Sequence, residues 1–345
     1  MRVLITSWAW PTHYTPMVPL AWALRASGHD VLVASSPSLA PTVSASGMPF
    51  MGIGADIDTA EWFRVLLRTP PAKPSTGAPR VPRAIRLFAD LAEAMATDAV
   101  VFARQWRPDL VLSESSGYLG PLLARVLGVP AVRHPWGADI LSAVAAMDGL
   151  ADADRHALAP LCERFGVPPF SPREDLTVDI CPAALQTPAA PPARLRSRYI
   201  PYNIYSAVPG WLAEAVRRRP RVCVTWGTTV GLLDPGLALL DRTVRALARS
   251  GVEVVVAVAA GQRSVLLPDP PPGVVVVESA PLQLLLPHCD AVIGHGGVGT
   301  LLTGLAAGLP QLVVAPLLPD HRFNGRQLVA SAAGLALTSE EATPE

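Results

Sequence analysis

The sequence predicts an α/β protein of two doubly wound domains in tandem. Its 345 residues suit two domains of roughly 150 each. Short apolar runs alternate with helical stretches, the rhythm of parallel strands joined by crossover helices. That rhythm stops at a proline-heavy stretch, Pro188 to Pro209, and then starts again. We therefore assign residues 1–186 to the first domain, 187–220 to a linker and 221–345 to the second.

The first domain opens on a strand, Val3–Thr6, with no long apolar core of a signal peptide behind it. Val18 to Ala26 has helical spacing and stops before Gly28, a favourable residue just past a helix end. Val31–Ala34, Leu110–Leu112 and Ala131–Val132 read as further strands. Helices fall at Ala84–Ala103 and at Leu119–Leu127, the latter closed by Gly128. Thr69 to Pro82, rich in proline, reads as a long loop.

The second domain starts with the strand Arg221–Thr225, then a glycine turn and a helix from about Leu237 to Ser250. Val252–Val258, Val274–Val277, Ala291–Ile293 and Leu312–Ala315 are apolar enough to be strands covered on both faces. Thr343-Pro344-Glu345 looks like the capped start of a helix, so more C-terminal helix is expected than the sequence contains.

Composition excludes several functions. With 28 basic and 28 acidic side chains there is no net charge to draw nucleic acid or an anionic membrane. Local clusters such as Arg80, Arg83 and Arg86 read as solvated faces. The uncharged run Gly296 to Pro319 is broken by Pro310, Pro316 and Pro319, so it is not a membrane span. Cys162, Cys181, Cys223 and Cys289 are widely spaced, which implies buried thiols in a reducing cytoplasm and neither zinc nor a disulfide framework.

The chemistry concentrates where strands end. His295-Gly-Gly-Val-Gly-Thr300 follows an apolar strand and precedes a helix-like segment. Glycines there let backbone N–H groups approach an anion, and the helix N-terminus adds partial positive charge. His295 can add a hydrogen bond or a charge. The turn lacks the lysine of a P-loop. Thr225-Trp-Gly-Thr-Thr229 is a second such turn, with Gly227 and Thr228 suited to a phosphate oxygen. Read without context, either turn could equally be a tight connection.

In the first domain, the loop Trp8 to Pro16 carries His13 after the first strand. Imidazole exchanges protons near neutral pH, which suits a general base. Trp8, Trp10 and Tyr14 around it, with Trp136 further on, could stack on a flat hydrophobic ligand. Glu114 closes the strand at Leu110–Leu112 and could orient His13, as the acid of a triad orients its histidine. His134 is a weaker candidate, and His29 reads as a turn residue. Asp320-His321 offers a carboxylate and an imidazole to sugar hydroxyls. The loop Ala280 to Pro287 could meet a nucleobase or simply form a core helix.

These segments together resemble the family-1 glycosyltransferases of GT-B fold, in their actinobacterial natural-product branch. The matching pieces run from Pro-Thr-His13 and Ala26-Ser-Gly-His-Asp30 through Pro201-Tyr-Asn and Val208-Pro-Gly-Trp-Leu. They continue with Val222-Cys-Val-Thr-Trp-Gly-Thr, Leu284-Leu-Leu-Pro, Cys289-Asp-Ala-Val and His295-Gly-Gly-Val-Gly-Thr with Gly308-Leu-Pro-Gln.

The resemblance implies two facing Rossmann-like domains with a cleft between them, a hydrophobic acceptor bound by the first and a nucleotide-sugar by the second. It implies His13 as catalytic base with Glu114 as its acid partner, and Trp8, Trp10, Tyr14 and Trp136 around the acceptor. Gly227, Thr228, His295, Gly297, Val298, Gly299 and Thr300 would hold the diphosphate. Pro281 and Leu282 would meet the nucleobase, and Asp320 and His321 the sugar. The family often has Asp-Gln where this chain has Asp320-His321.

The expected reaction is inverting transfer of a deoxysugar, carried by thymidine diphosphate (TDP) or uridine diphosphate (UDP), to a polyketide-type aglycone. No cofactor or metal is expected, nor a nucleic-acid or membrane partner, and a homodimer stays open. The alternatives are an auxiliary protein that activates a partner transferase and a sugar-nucleotide 2-epimerase.

Overall fold

A computed structural model of the chain describes residues 1–69, 81–147, 150–191, 193–203, 210, 219–233, 239–314, 318–338 and 340–342. It forms two compact units. The first comprises Met1–Thr59, Val65–Pro182 and Gln186–Arg198. The second comprises Ala60–Arg64, Ala183–Leu185 and Tyr199–Glu345.

The first unit is built on a parallel sheet of seven strands. They are β1 (Arg2–Thr6), β2 (Asp30–Ser35), β3 (Phe50–Gly52), β4 (Leu110–Glu114), β5 (Ala131–His134), β6 (Leu176–Asp179) and β7 (Arg194–Arg196). Their order is β3-β2-β1-β4-β5-β6-β7. β1 pairs with β2 on one side and with β4 on the other, Val3 lying opposite both Val31 and Leu110. The winding reverses between β1 and β4, and in open α/β sheets a ligand sits outside the carboxyl ends of the strands at that point.

The second unit repeats the plan with six strands. They are β8 (Arg221–Thr225), β9 (Glu253–Val258), β10 (Val275–Glu278), β11 (Ala291–Gly294), β12 (Gln311–Val314) and β13 (Gly334–Leu337). The order β10-β9-β8-β11-β12-β13 puts its reversal between β8 and β11. Alternate residues of these strands feed two separate cores. Val222, Val224, Val254, Val256 and Ile293 pack on one face, and Cys223, Val255, Ala257 and Val292 on the other. Burial on both faces is why these strands read as unbroken apolar runs.

The helices Val18–Ala26 and Leu119–Leu127 have the bounds their spacing predicts, and the long helix before β4 spans Arg83–Trp106. In the second unit the helices after β8 are Thr229–Leu233 and Leu239–Ala248.

Two expectations change. The stretch assigned to a linker from residue 187 contains β7, an edge strand of the first sheet, and the first unit extends to Arg198. Its Arg-Leu-Arg pattern is largely exposed and carries no apolar run, while Arg194 reaches the Asp179 carboxylate at 3.6 Å. The second change is at Pro11. The chain turns helical there, so His13 sits in a helical turn and not in an open loop. Proline is well placed at that first helical position, where no N–H is needed.

All four cysteines are buried free thiols. Among the described residues no helix is long and apolar enough to cross a membrane. The expected loop at residues 70–80, the tryptophan of Val208-Pro-Gly-Trp-Leu and the helix start at 343–345 lie outside the described residues.

Candidate active site

Each unit gathers its candidate residues at its own sheet reversal. In the first unit β1 delivers the chain to His13 and β4 ends on Glu114. His13 Nδ1 lies 3.2 Å from Glu114 Oε2, the histidine side chain 14% exposed and the carboxylate fully buried. The carboxylate also accepts the Ser116 backbone N–H at 2.8 Å and the Ser116 hydroxyl at 2.9 and 3.0 Å. A carboxylate can only accept, so this contact favours the tautomer with the proton on Nδ1 and the lone pair on Nε2. Trp136 stacks on the imidazole with centroids 4.0 Å apart and planes 25° apart, and the Trp8 ring meets it at 4.7 Å and 67°.

The expected aromatic platform resolves differently. Tyr14 is fully buried and its hydroxyl pairs with Ser46 Oγ at 2.7 Å. Trp8 is buried, tilts against Trp10 and Phe88, and donates its indole N–H to Ser116 Oγ at 2.9 Å. Trp10 is buried as well. Aromatic rings whose polar atoms are satisfied inside pack as core, and Trp8 and Tyr14 are held in this way. Of the four expected acceptor residues, Trp136 alone is half-buried.

The sequence reading missed Ser116 and the buried Arg133–Asp139 ion pair. Asp139 also accepts from Ser142, and its backbone N–H donates to Gln186 Oε1 at 2.8 Å. This pair brackets Trp136 in sequence and anchors the loop that carries it. His134, the weaker candidate, is buried, and desolvation pushes its pKa down to about 4, so it is neutral. His29 lies 3.3 Å from the amino terminus, a surface turn residue.

In the second unit β8 leads into Gly227 and β11 into His295. Gly227 has φ +61°, and its N–H is held by Thr225 Oγ1 at 3.1 Å. A Cβ at Gly227 would come 2.8 Å from His295 Cε1, and one at Gly297 would overlap His295 Nε2. Gly296, with φ +89°, would bring a Cβ 2.8 Å from the His321 carbonyl oxygen. The glycines therefore admit the imidazole as much as they admit a ligand. Gly297 is the N-cap of the helix Val298–Ala306, and Leu301 N–H is the donor that reaches back to the Gly297 carbonyl at 3.1 Å. The N–H groups of Val298, Gly299 and Thr300 precede it and have no acceptor within their own helix. Free N–H groups at a helix start are suited to an anion.

His295 is buried, and desolvation pushes its pKa down to about 3, with the neighbouring His321 adding to the shift. Of the two roles expected, it can fill that of hydrogen-bonding group and not that of charge. Among the described residues its Nδ1 meets no partner in good hydrogen-bond geometry, while the Thr225 backbone interacts with the ring and opposes the downward shift.

His321 meets His295 edge-on at 4.7 Å. It is buried, its pKa pushed down to about 4 by desolvation, and its Nδ1 accepts the Leu318 N–H at 3.3 Å. That bond caps the helix Pro319–Ala330, so His321 is committed to holding the helix start. The Asp320 side chain is 30% exposed. Asn324, which the sequence reading did not single out, donates to the Gly296 carbonyl at 2.9 Å and steadies the glycine turn. Pro281 is the buried N-cap of the helix Leu282–Leu285, where the Gln283 N–H is taken by Asn203 Oδ1 at 3.1 Å. Leu282 packs partly against the core. Thr228 is exposed.

Comparison with known proteins finds matches to both halves of the chain. The family described as erythromycin biosynthesis protein CIII-like matches through its N-terminal domain at residues 22–70 and 81–227. Its C-terminal domain matches at residues 241–345. The L-demethylnoviosyl transferase of Streptomyces niveus is 38% identical, covering 98% of this chain and 85% of the relative. The 10-deoxymethynolide desosaminyltransferase of Streptomyces venezuelae is 35% identical, covering 100% of this chain and 87% of the relative. Among solved structures, spinosyn rhamnosyltransferase SpnG complexed with thymidine diphosphate superposes with a TM-score of 0.81 at 34% identity, covering 99% of this chain and 88% of that one. The same enzyme complexed with spinosyn aglycone gives a TM-score of 0.82, with the same identity and coverage.

Proposed function

The chain belongs to the erythromycin biosynthesis protein CIII-like family and is a GT-B glycosyltransferase, and from that premise we propose that it moves a deoxysugar from a thymidine diphosphate donor to a hydrophobic polyketide-type aglycone with inversion at the anomeric carbon. Support for the donor and acceptor classes comes from relatives named for deoxysugar transfer to such aglycones and from the SpnG complexes. The alternatives of an auxiliary protein or a 2-epimerase gain no support from these relatives.

The single observation that carries the mechanism is the contact of His13 Nδ1 with Glu114 Oε2, which leaves Nε2 available as a base. His13 takes the proton of the acceptor hydroxyl on Nε2. The hydroxyl oxygen forms a bond to the anomeric carbon, and the bond to the diphosphate oxygen breaks with its electron pair on the leaving group. The transition state is oxocarbenium-like. Glu114 offsets the positive charge that His13 acquires, and the face of Trp136 favours that cation too.

The diphosphate gathers negative charge as it leaves. The N–H donors at Val298, Gly299 and Thr300, with neutral His295 and the Gly227–Thr228 turn beside them, receive it. One preorganised donor of this kind is worth about 3 kcal/mol in a transition state. We read these donors as sufficient without a cation, so activity should survive a chelator. Asp320 is the candidate for a sugar hydroxyl, with Pro281 and Leu282 beside the base.

The test is transfer itself: purified protein, a TDP-deoxysugar and a panel of polyketide aglycones, with the product's anomeric configuration read by NMR. The reading requires acceptor-dependent TDP release and an inverted linkage. A retained linkage, or turnover of the donor without acceptor, contradicts it. Competition by UDP against TDP sets the nucleotide preference.

A further inference from the structure

We propose that Ser116 is a positioning residue that fixes the tautomer of His13, and that Trp8 and Glu114 together set the direction of the hydrogen bonds through it. The inference deepens the reading of His13 as base and rests on it for its consequence in catalysis.

Ser116 is fully buried at the centre of four polar contacts. Trp8 Nε1 lies 2.9 Å from its Oγ, Glu114 Oε2 2.9 Å, Glu114 Oε1 3.0 Å and His13 Nδ1 3.3 Å. Its backbone N–H donates to Glu114 Oε2 at 2.8 Å. A hydroxyl has one proton to give and two lone pairs to receive with, whereas an indole N–H can only donate. Trp8 therefore occupies one lone pair. The hydroxyl proton goes to the Glu114 carboxylate, which can only accept. One lone pair is then left, and it faces His13.

Both atoms near His13 Nδ1, Ser116 Oγ and Glu114 Oε2, are thus acceptors. Nδ1 must carry the proton, and Nε2 must be bare. The polarity of the whole chain is set at its two ends, since the indole can only donate and the carboxylate can only accept. Trp8 acts at a distance from the acceptor, through Ser116. The serine also holds both oxygens of Glu114, so the carboxylate keeps one orientation toward the ring.

The experiment compares Ser116→Ala, Trp8→Phe and the double variant in the whole protein, with the imidazole of His13 followed by 15N NMR and transfer followed kinetically. Trp8→Phe keeps an aromatic ring in the core and removes the indole donor. In the unaltered protein the 15N shifts should report a single Nδ1–H tautomer. Ser116→Ala removes the hydroxyl that holds the Glu114 carboxylate toward Nδ1, so the carboxylate should turn away and the Nε2–H tautomer should appear. The kcat should fall by roughly ten- to a hundredfold, with the KM for donor unchanged. Trp8→Phe should act in the same direction by a smaller factor, and add nothing further in the Ser116→Ala background.

Unchanged 15N shifts in Ser116→Ala overturn the proposal. So does an effect of Trp8→Phe that simply adds to that of Ser116→Ala, since it would show that Trp8 acts by another route. If His13 is not the base, His13→Ala retains turnover while the tautomer measurement still decides the role of Ser116.

Discussion

Gly227 has no side chain because His295 stands where one would be: a Cβ there would lie 2.8 Å from the imidazole Cε1. The contact joins the turn after β8 to the turn after β11, the two strand ends that flank the sheet reversal of the second unit. Gly227 also sits at φ +61°, a conformation that L side chains adopt at a cost. Gly227→Ala should therefore lose about 1–3 kcal/mol of stability from backbone strain and crowding. It should also weaken TDP binding by moving His295. Chemical denaturation and titration calorimetry check the two effects separately.

Buried neutral histidines make the fold sensitive to acid. His134 and His321 are pushed down to about 4 and His295 to about 3. Below the ordinary value near 6.5, the unfolded chain takes up protons that the native chain refuses. Stability is therefore full above that value and falls as pH drops from about 6.5 toward 4. Each such histidine contributes a slope of at most about 1.4 kcal/mol per pH unit. The urea midpoint should fall between pH 7 and pH 5, and His134→Gln should flatten the fall. A midpoint equal at both pH values would contradict this account.

Asp320 and His321 should separate on substitution, although they are adjacent. His321 caps its own helix from inside the core, so His321→Ala should cost roughly 1 kcal/mol or more of stability, as loss of a helix cap does. Asp320 has a partly exposed carboxylate, and Asp320→Asn should raise the KM for the sugar donor while leaving affinity for TDP alone unchanged. Loss of TDP affinity in Asp320→Asn would place that carboxylate elsewhere.

The Arg133–Asp139 pair is buried on both sides, 1% and 2% exposed. Removing one partner leaves the other charge uncompensated, so Arg133→Ala should destabilise the protein by about 3–5 kcal/mol. Trp136 lies between the two in sequence and stacks on His13, so its loop should loosen as well. Denaturation measures the first effect, and hydrogen exchange across residues 135–139 the second.

The sequence made the second sheet easy to read because both its faces are buried. A valine run such as Val254–Val256 suits a strand covered on both sides and little else. It hid β7, since an exposed edge strand of Arg-Leu-Arg buries too little to leave a pattern. The pairing of His13 with Glu114 could be anticipated because one follows and the other ends a strand, and the winding rule brings those two strands side by side. Trp8 and Tyr14 were harder to place. Their residue types suit a stacking platform and a core equally, and only their contacts to Ser116 and Ser46 distinguish the two. Ser116 was invisible for a related reason: a serine pair after a strand end carries no mark of which hydroxyl turns inward.

The central claim is that His13, held by Glu114, removes the acceptor proton. The most direct measurement is the turnover of His13→Ala, with its TDP affinity determined on the same preparation by calorimetry. The account predicts a kcat lower by roughly 10²–10⁴, with an unchanged Kd for TDP. A variant that binds TDP normally and transfers sugar at close to the original rate would contradict it.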